Sequence, residues 1–99
     1  MEKQPDVAKQ RQSVEVLDFT GKGCSTCIIL DKALEEVIPK YKDVKFVKID
    51  VDENENLTKQ YEILSIPTLI LFKNGKEIWR KNGSISKREV VRELDNVVK

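Results

Sequence analysis

The sequence predicts an α/β fold, with one four-stranded mixed sheet flanked by helices on both faces. Short runs of strand-forming residues alternate with segments whose apolar residues recur every three or four positions, in the order β-α-β-α-β-β-α. A helix joins the first two predicted strands, so these two should pair in parallel. Asn74-Gly75 separates the last two strands, and this dipeptide is a strong signal for an antiparallel hairpin.

The first strand and helix are predicted from their apolar patterns. Val14–Phe19 is a short apolar run, typical of a strand buried on both faces, and alternation places Asp18 on the same face as Val14 and Val16. The helix that follows carries one apolar stripe, and Pro39 should end or kink it. The stripe consists of Cys27, Leu30, Leu34, Val37 and Ile38.

The middle of the chain predicts a second strand and a short helix. Val44–Val51 is rich in strand formers, and the acidic and capping residues of Asp52–Asn56 favour a helix start directly after it. We expect this short helix to carry Leu57, Tyr61 and Leu64.

The last third of the chain predicts the hairpin and a closing helix. Thr68–Phe72 and Glu77–Lys81 are the two hairpin strands, and the second should pack through Ile78 and Trp79. The sequence Ser86-Lys87-Arg88-Glu89 is a capping box, which predicts a helix N-terminus followed by an apolar helical face.

Length and composition indicate one small globular domain. The 99 residues suffice for a core, and we predict the domain over residues 14–99, preceded by a tail or short helix over 1–13. The net charge is +1, with 18 basic and 17 acidic residues interspersed, which argues against a nucleic-acid binder with a basic face. We find no apolar stretch long enough for a membrane span and no apolar signal-peptide region at the N-terminus. The missing signal-peptide region favours the cytoplasm. We also expect the protein to be a monomer.

Both cysteines of the chain lie between the first strand and the first helix, in the stretch from Asp18 to Cys27. Two residues separate Cys24 from Cys27, so the pair is close enough to form a small disulfide ring when the segment turns as a helix start. Cys24 would lie at the helix N-terminus, where free N–H groups and the helix dipole favour a thiolate. Cys-X-X-Cys is also among the settings that lower a thiol pKa. The motif predicts a reversible dithiol/disulfide site.

Three other kinds of cysteine site compete with this interpretation. A structural zinc site needs four ligands, and the chain has neither histidine nor a third cysteine, so zinc would require a second chain. A static structural disulfide closing so short a ring would constrain little of the unfolded chain. Catalysis by a cysteine–histidine pair is excluded because the chain has no histidine. We predict neither a metal nor an organic cofactor.

The chain from about Val14 to Lys99 resembles the thioredoxin family. Cys-X-X-Cys at a strand-to-helix junction within a βαβ pattern is typical of thioredoxin-like redox proteins. Several further motifs occur in the family's order, and they are Val16-Leu17-Asp18-Phe19, Ile66-Pro67-Thr68, Leu71-Phe72-Lys73-Asn74-Gly75-Lys76 and Gly83. The chain departs from the family pattern at Thr20 and Gly23, where tryptophans are usual, and at Ser25-Thr26, where Gly-Pro is usual.

The resemblance implies a thioredoxin-like fold and a role for each residue of the dithiol site. Cys24 would be the exposed nucleophile, with Lys22 nearby favouring its thiolate, and Cys27 would resolve the mixed disulfide. Asp18 would be the general base for Cys27, with a pKa raised by burial, and Lys48 on the neighbouring strand would tune it.

The resemblance also implies a surface for the substrate. Ile66 and a cis Pro67 would face the cysteines, and the Ile66 backbone would pair with an extended substrate peptide. Gly23 and Gly83 would belong to the same substrate-binding surface.

The predicted function is that of a thiol-disulfide oxidoreductase that reduces protein disulfides or relays electrons to a dedicated partner. Its partners would be a disulfide-bearing protein substrate and an upstream thiol reductase. Two alternatives remain at this point: an interaction module in which the dithiol is incidental, and a disulfide donor in an oxidising compartment.

Overall fold

The computed structural model describes residues 13–98. The tail or short helix predicted over 1–13 therefore lies outside the described residues, apart from Ser13. The predicted order of elements is confirmed. The elements are β1 (Val14–Thr20), α1 (Ser25–Val37), a 3₁₀ turn (Ile38–Lys40), β2 (Val44–Asp50), α2 (Glu55–Gln60), β3 (Thr68–Lys73), β4 (Lys76–Asn82) and α3 (Lys87–Val97).

The four strands form one mixed sheet, as predicted, and their order in the sheet is β2-β1-β3-β4. Strand β1 pairs in parallel with β2 and antiparallel with β3, and β3 pairs antiparallel with β4. Strand β1 is therefore central, and its side chains are buried from Val16 to Thr20. A central strand with helices on both sides has to be apolar on both faces, so the carboxyl of Asp18 stands out within it.

The core has one cluster on each face of the sheet. Helices α1 and α3 cover the larger one, which contains Leu30 and Leu34 of α1, and Val90 and Leu94 of α3. The smaller cluster lies on the opposite face, where Tyr61 at the end of α2 packs with Phe19 and Phe72. None of the helices within residues 13–98 has the length and apolar character that a membrane crossing requires.

Helices α1 and α2 end earlier than their apolar patterns predict. The α-helix stops at Val37, and Pro39 lies in the 3₁₀ turn that follows, so Ile38 leaves the apolar stripe and is 40% exposed. Helix α2 ends at Gln60. Tyr61 caps it, and Leu64 lies beyond it with 95% of its surface exposed, so the expectation that α2 carries Leu64 is wrong.

Strand β4 packs through Trp79 rather than Ile78. The β3–β4 register shifts between Leu71 and Phe72, because Leu71 pairs with Trp79 whereas Phe72 pairs with Glu77. Ile78 is thus an extra residue on β4, which is the arrangement of a β-bulge. It is 42% exposed, while Trp79 packs on the larger core cluster.

Candidate active site

The two cysteines lie where β1 passes into α1. After Thr20 the chain leaves the sheet, and Gly23 adopts a φ of +69°, a left-handed conformation that glycine takes without strain. Cys24 is the N-cap of α1, with extended backbone angles. A disulfide joins it to Cys27, one turn into the helix, with the two Cα atoms 5.2 Å apart. The small ring expected from the two-residue spacing is therefore formed.

The two sulfurs have different surroundings. The Cys24 Sγ accepts a hydrogen bond from the Cys27 backbone N–H at 3.2 Å and lies 3.4 Å from the Thr26 hydroxyl. The Cys24 residue is half-buried, whereas Cys27 is 2% exposed and faces the core. Of the two sulfurs, that of Cys24 is therefore the one that an external disulfide can approach.

A second loop lies against this junction. The Ile66–Pro67 peptide bond is cis, as the resemblance implied. A Cβ added to Gly21 would come within 2.7 Å of the Ile66 Cδ1, so the Ile66 side chain packs over the segment that leads to Cys24. The Thr68 hydroxyl donates to the Ser65 carbonyl at 2.7 Å and closes the loop.

Gly83 is held to the same loop from the other side. Its N–H donates to the Pro67 carbonyl at 3.0 Å, and its φ is +84°. The structure thus brings Ile66, Pro67 and Gly83 together beside the β1–α1 junction. Lys22 is exposed in that junction, two residues before Cys24.

Asp18 is buried beneath α1, as the alternation of β1 predicts. It is 5% exposed, and among the described residues its Oδ1 has no hydrogen-bond partner. Burial is the main cause that raises the pKa of Asp18 to about 6. The negative charge of Asp31 raises this pKa further, and the positive charge of Lys48 lowers it.

Asp31 belongs to this site although the sequence patterns did not indicate it. Lys48 pairs with Asp18 in the β1–β2 register, but its Nζ donates to the Asp31 Oδ2 at 3.1 Å. Asp31 follows Cys27 by four residues, so it lies on the same face of α1, one turn further on. That spacing is the signal by which it could have been found.

Comparisons with known proteins identify the family. A family model described as Thioredoxin matches residues 3–96 of the chain. The chain belongs to the thioredoxin family. It is 44% identical to a thioredoxin of Mycoplasmoides gallisepticum over 75 residues, which are 76% of this chain and 75% of that protein. It is 39% identical to a thioredoxin of Acidithiobacillus ferridurans over 92 residues, which are 92% of this chain and 84% of that protein.

Solved structures agree with the family assignment. Mitochondrial thioredoxin 3 from Saccharomyces cerevisiae, in its oxidised form, superposes with a TM-score of 0.79 at 29% identity, covering 91% of this chain and 84% of that one. Thioredoxin-2 of the malaria parasite superposes with a TM-score of 0.81 at 28% identity, covering 85% of this chain and 82% of that one.

Membership of the thioredoxin family and the bonded cysteine pair make the chain a thiol-disulfide oxidoreductase. Thioredoxins act on disulfide-bearing proteins and are reduced again by a reductase. Within residues 13–98, no group of three or more histidine, cysteine, aspartate or glutamate side chains is arranged to hold a metal ion.

Proposed function

We propose that this thioredoxin-family protein reduces disulfides of protein substrates, with Cys24 as the nucleophile and Cys27 as the resolving thiol. The observation that carries the proposal is the disulfide between a half-buried Cys24 at a helix N-terminus and a buried Cys27. In the reduced protein, the Cys27 N–H that now contacts the Cys24 Sγ would donate to a Cys24 thiolate, and the helix dipole would favour the same charge.

The reaction proceeds in two exchange steps. The Cys24 thiolate attacks one sulfur of the substrate disulfide, forms a mixed disulfide and releases the other substrate sulfur as a thiolate. Cys27 then loses its proton to Asp18 and attacks the Cys24 sulfur, so that the mixed disulfide breaks and the second substrate thiolate leaves. The substrate gains two electrons, and the protein ends as the Cys24–Cys27 disulfide. An upstream thiol reductase returns it to the dithiol.

Asp18 suits the role of proton acceptor in the second step. Its Oδ1 has no hydrogen-bond partner within residues 13–98, and its pKa of about 6 lies close to neutral pH. A general base transfers protons best when its pKa is near the working pH. Lys22, exposed in the loop before Cys24, adds positive charge on the side from which the substrate approaches.

The substrate is expected to bind as an extended peptide along the Ile66–Pro67 loop. The contact of Ile66 with Gly21 and the hydrogen bond of Gly83 to Pro67 fix this loop beside the β1–α1 junction. Gly23 presents no side chain next to Cys24, which leaves room for the substrate backbone. The protein would work in the cytoplasm, because a thiol pool that keeps proteins reduced is a property of that compartment. It would act as a monomer.

The test is reduction of insulin by dithiothreitol, followed as turbidity. Wild-type protein should accelerate it, whereas Cys24→Ser should return the rate to that of dithiothreitol alone. Cys27→Ser is the matched variant, because it keeps the nucleophile and removes the resolving thiol. After reduction and removal of dithiothreitol, Cys27→Ser incubated with insulin should accumulate a mixed disulfide that mass spectrometry detects, and Cys24→Ser should not. Equal insulin-reduction rates for the wild type and Cys24→Ser would refute the proposal and leave an interaction module as the function.

A further inference from the structure

A cavity between α1 and β2 leads from the surface of the protein to Asp18. It has a volume of about 160 Å³, and its walls include the apolar side chains of Leu34 and Phe46. Its charged groups are Asp18 from β1, Asp31 and Glu35 from α1, and Lys48 from β2. On β3, the residue paired with Asp18 is Leu69, which carries no charge. Asp31, Glu35 and Lys48 are thus the three charged groups that share the cavity with the buried Asp18 carboxyl.

Asp31 and Lys48 lie nearer the solvent than Asp18. Their side chains are 29% and 60% exposed, whereas Asp18 is 5% exposed, so the ion pair lies towards the mouth of the cavity and the carboxyl of Asp18 at its base. The β1–β2 register makes Lys48 the direct neighbour of Asp18 on this face of the sheet. The ammonium nevertheless contacts Asp31, with a separation of 3.1 Å between Nζ and Oδ2.

Asp31 therefore has two effects on Asp18. Its own negative charge opposes the ionisation of a second carboxyl in the same cavity. It also provides a partner for the Lys48 ammonium, which would otherwise be free to turn towards the Asp18 Oδ1, an atom without a hydrogen-bond partner in the described part of the chain. Both effects act in the same direction, since both keep Asp18 protonated to a higher pH.

We propose that Asp31 is a positioning residue for the second exchange step, because it holds Lys48 at the mouth of the cavity and leaves the Asp18 oxygen free to take the Cys27 proton. This inference rests on the proposed function. In that step the proton moves from the Cys27 thiol to the Asp18 carboxylate, and the new sulfur–sulfur bond forms between Cys27 and Cys24. The bond between Cys24 and the substrate breaks, and its electron pair leaves on the substrate thiolate.

The first test measures the titration of Asp18 directly. In the oxidised protein, the side-chain carboxyl carbon of Asp18 is followed by NMR as the pH is varied, in the wild type, Asp31→Asn and Glu35→Gln. Asn has the shape of Asp without its charge, so the midpoint in Asp31→Asn should fall by about half a pH unit or more. Glu35→Gln is the matched control, since it removes a carboxylate from the same cavity that does not hold Lys48, and its midpoint should stay close to that of the wild type. An unchanged midpoint in Asp31→Asn, or equal shifts in both variants, would overturn the proposal.

The second test separates the charge of Asp31 from its hold on Lys48. Lys48→Met removes the ammonium and keeps most of the apolar stem, and Asp31→Asn is then introduced into this background. If Asp31 acts partly by holding Lys48, Asp31→Asn should lower the titration midpoint of Asp18 less in the Lys48→Met background than in the wild-type background. The same shift in both backgrounds would show that Asp31 acts by its charge alone and would refute the positioning role.

The third test links the titration to the reaction. The rate at which Cys27 resolves a preformed Cys24 mixed disulfide is measured against pH, and the midpoint of this profile should be lower in Asp31→Asn, as for the NMR midpoint. A profile that does not move while the NMR midpoint does would exclude a part for Asp31 in the exchange step. Failure of the proposed function is a different result, because it appears as insulin reduction that survives Cys24→Ser, whereas the titration of Asp18 needs no activity.

Discussion

Asp18 favours the folded protein only while it is protonated, because its carboxyl is buried on the central strand and shares its cavity with the negative charge of Asp31. Burial raises its pKa from the ordinary value of 3.8 to about 6. Between these two values the folded state binds more protons than the unfolded state. The contribution of Asp18 to the free energy of unfolding is therefore complete below pH 3.8 and is lost as the pH rises through 6. From the size of the shift, the loss is about 3 kcal/mol.

We predict that Asp18→Asn stabilises the protein at high pH and impairs the exchange reaction. Asparagine carries no charge that must be buried, so the free energy of unfolding at pH 8 should exceed that of the wild type by about 1–3 kcal/mol. The difference in free energy of unfolding between Asp18→Asn and the wild type should be smaller at pH 4, where the wild-type carboxyl is mostly protonated in the folded state. Urea unfolding of the oxidised proteins at the two pH values measures this. An equal gain in stability at pH 4 and pH 8 would contradict a raised pKa of Asp18 in the folded protein.

At this scale, the sequence predicted the burial of Asp18 but not its full surroundings. Alternation along β1 is a local property, and it placed Asp18 on the face of Val14 and Val16. The pairing of Lys48 with Asp31 depends on how far α1 lies above β2, and local sequence patterns do not predict that distance. The prediction that Lys48 influences Asp18 agrees with its effect on the Asp18 pKa, but it did not include Asp31 as the direct contact of the ammonium.

Among the elements, α3 was predictable because the signal for its start is local. The Ser86 Oγ accepts a hydrogen bond from the Glu89 N–H at 3.1 Å, so the capping box of the sequence is present in the structure. The ends of other elements depend on tertiary contacts. The bulge that turns Ile78 outwards is a property of the β3–β4 pair, and the end of α2 at Gln60 lies where Tyr61 packs between Phe19 and Phe72.

We predict that Ser86→Ala destabilises the protein by about 1 kcal/mol, because the N–H of Glu89 at the start of α3 would lose its acceptor. Ser84→Ala is the matched control, since Ser84 is also exposed and precedes the helix without capping it, and it should change the stability by less than about 0.5 kcal/mol. Thermal or urea unfolding compares the two. Insulin reduction should be unaffected in both, because α3 is not part of the proposed site. A loss of stability in Ser84→Ala as large as in Ser86→Ala would contradict the assignment of the cap.

For the whole molecule, the sheet topology is what assembles the site from distant parts of the chain. Strand β1 ends at the cysteines, and β3 runs antiparallel to it, so the start of β3, with Pro67, lies beside the end of β1. Strand β4 returns antiparallel to β3, which brings Gly83 to the same edge. The order of elements predicted the parallel early pair and the antiparallel hairpin. That Ile66 and Pro67 lie near the cysteines was implied by the resemblance to the thioredoxin family. The choice of protein partners is a finer property that neither the strand order nor the cysteine spacing determines.

The direction of electron flow is a property of the whole protein, because it depends on the difference in stability between the dithiol and the disulfide forms. In the proposed mechanism the buried carboxylate of Asp18 takes the Cys27 proton. Once Asp18 ionises above pH 6, its charge would oppose additional negative charge on the sulfurs and disfavour the reduced form. We therefore predict a reduction potential of about −270 mV at pH 7, which is typical of thioredoxins, rather than the value near −120 mV of a strong oxidant.

Equilibration in dithiothreitol and glutathione redox buffers, followed by alkylation of free thiols and mass spectrometry, gives the reduction potential of the pair. Cys27→Ser gives the alkylation signal of a protein that cannot form the Cys24–Cys27 disulfide. Because a two-electron couple changes its equilibrium constant tenfold for every 29.6 mV, a difference of 150 mV between reductant and oxidant corresponds to about five powers of ten. A wild-type protein that is still fully reduced in glutathione buffers poised at −180 mV would be an oxidant, and the proposed reduction of substrate disulfides would then run in the opposite direction.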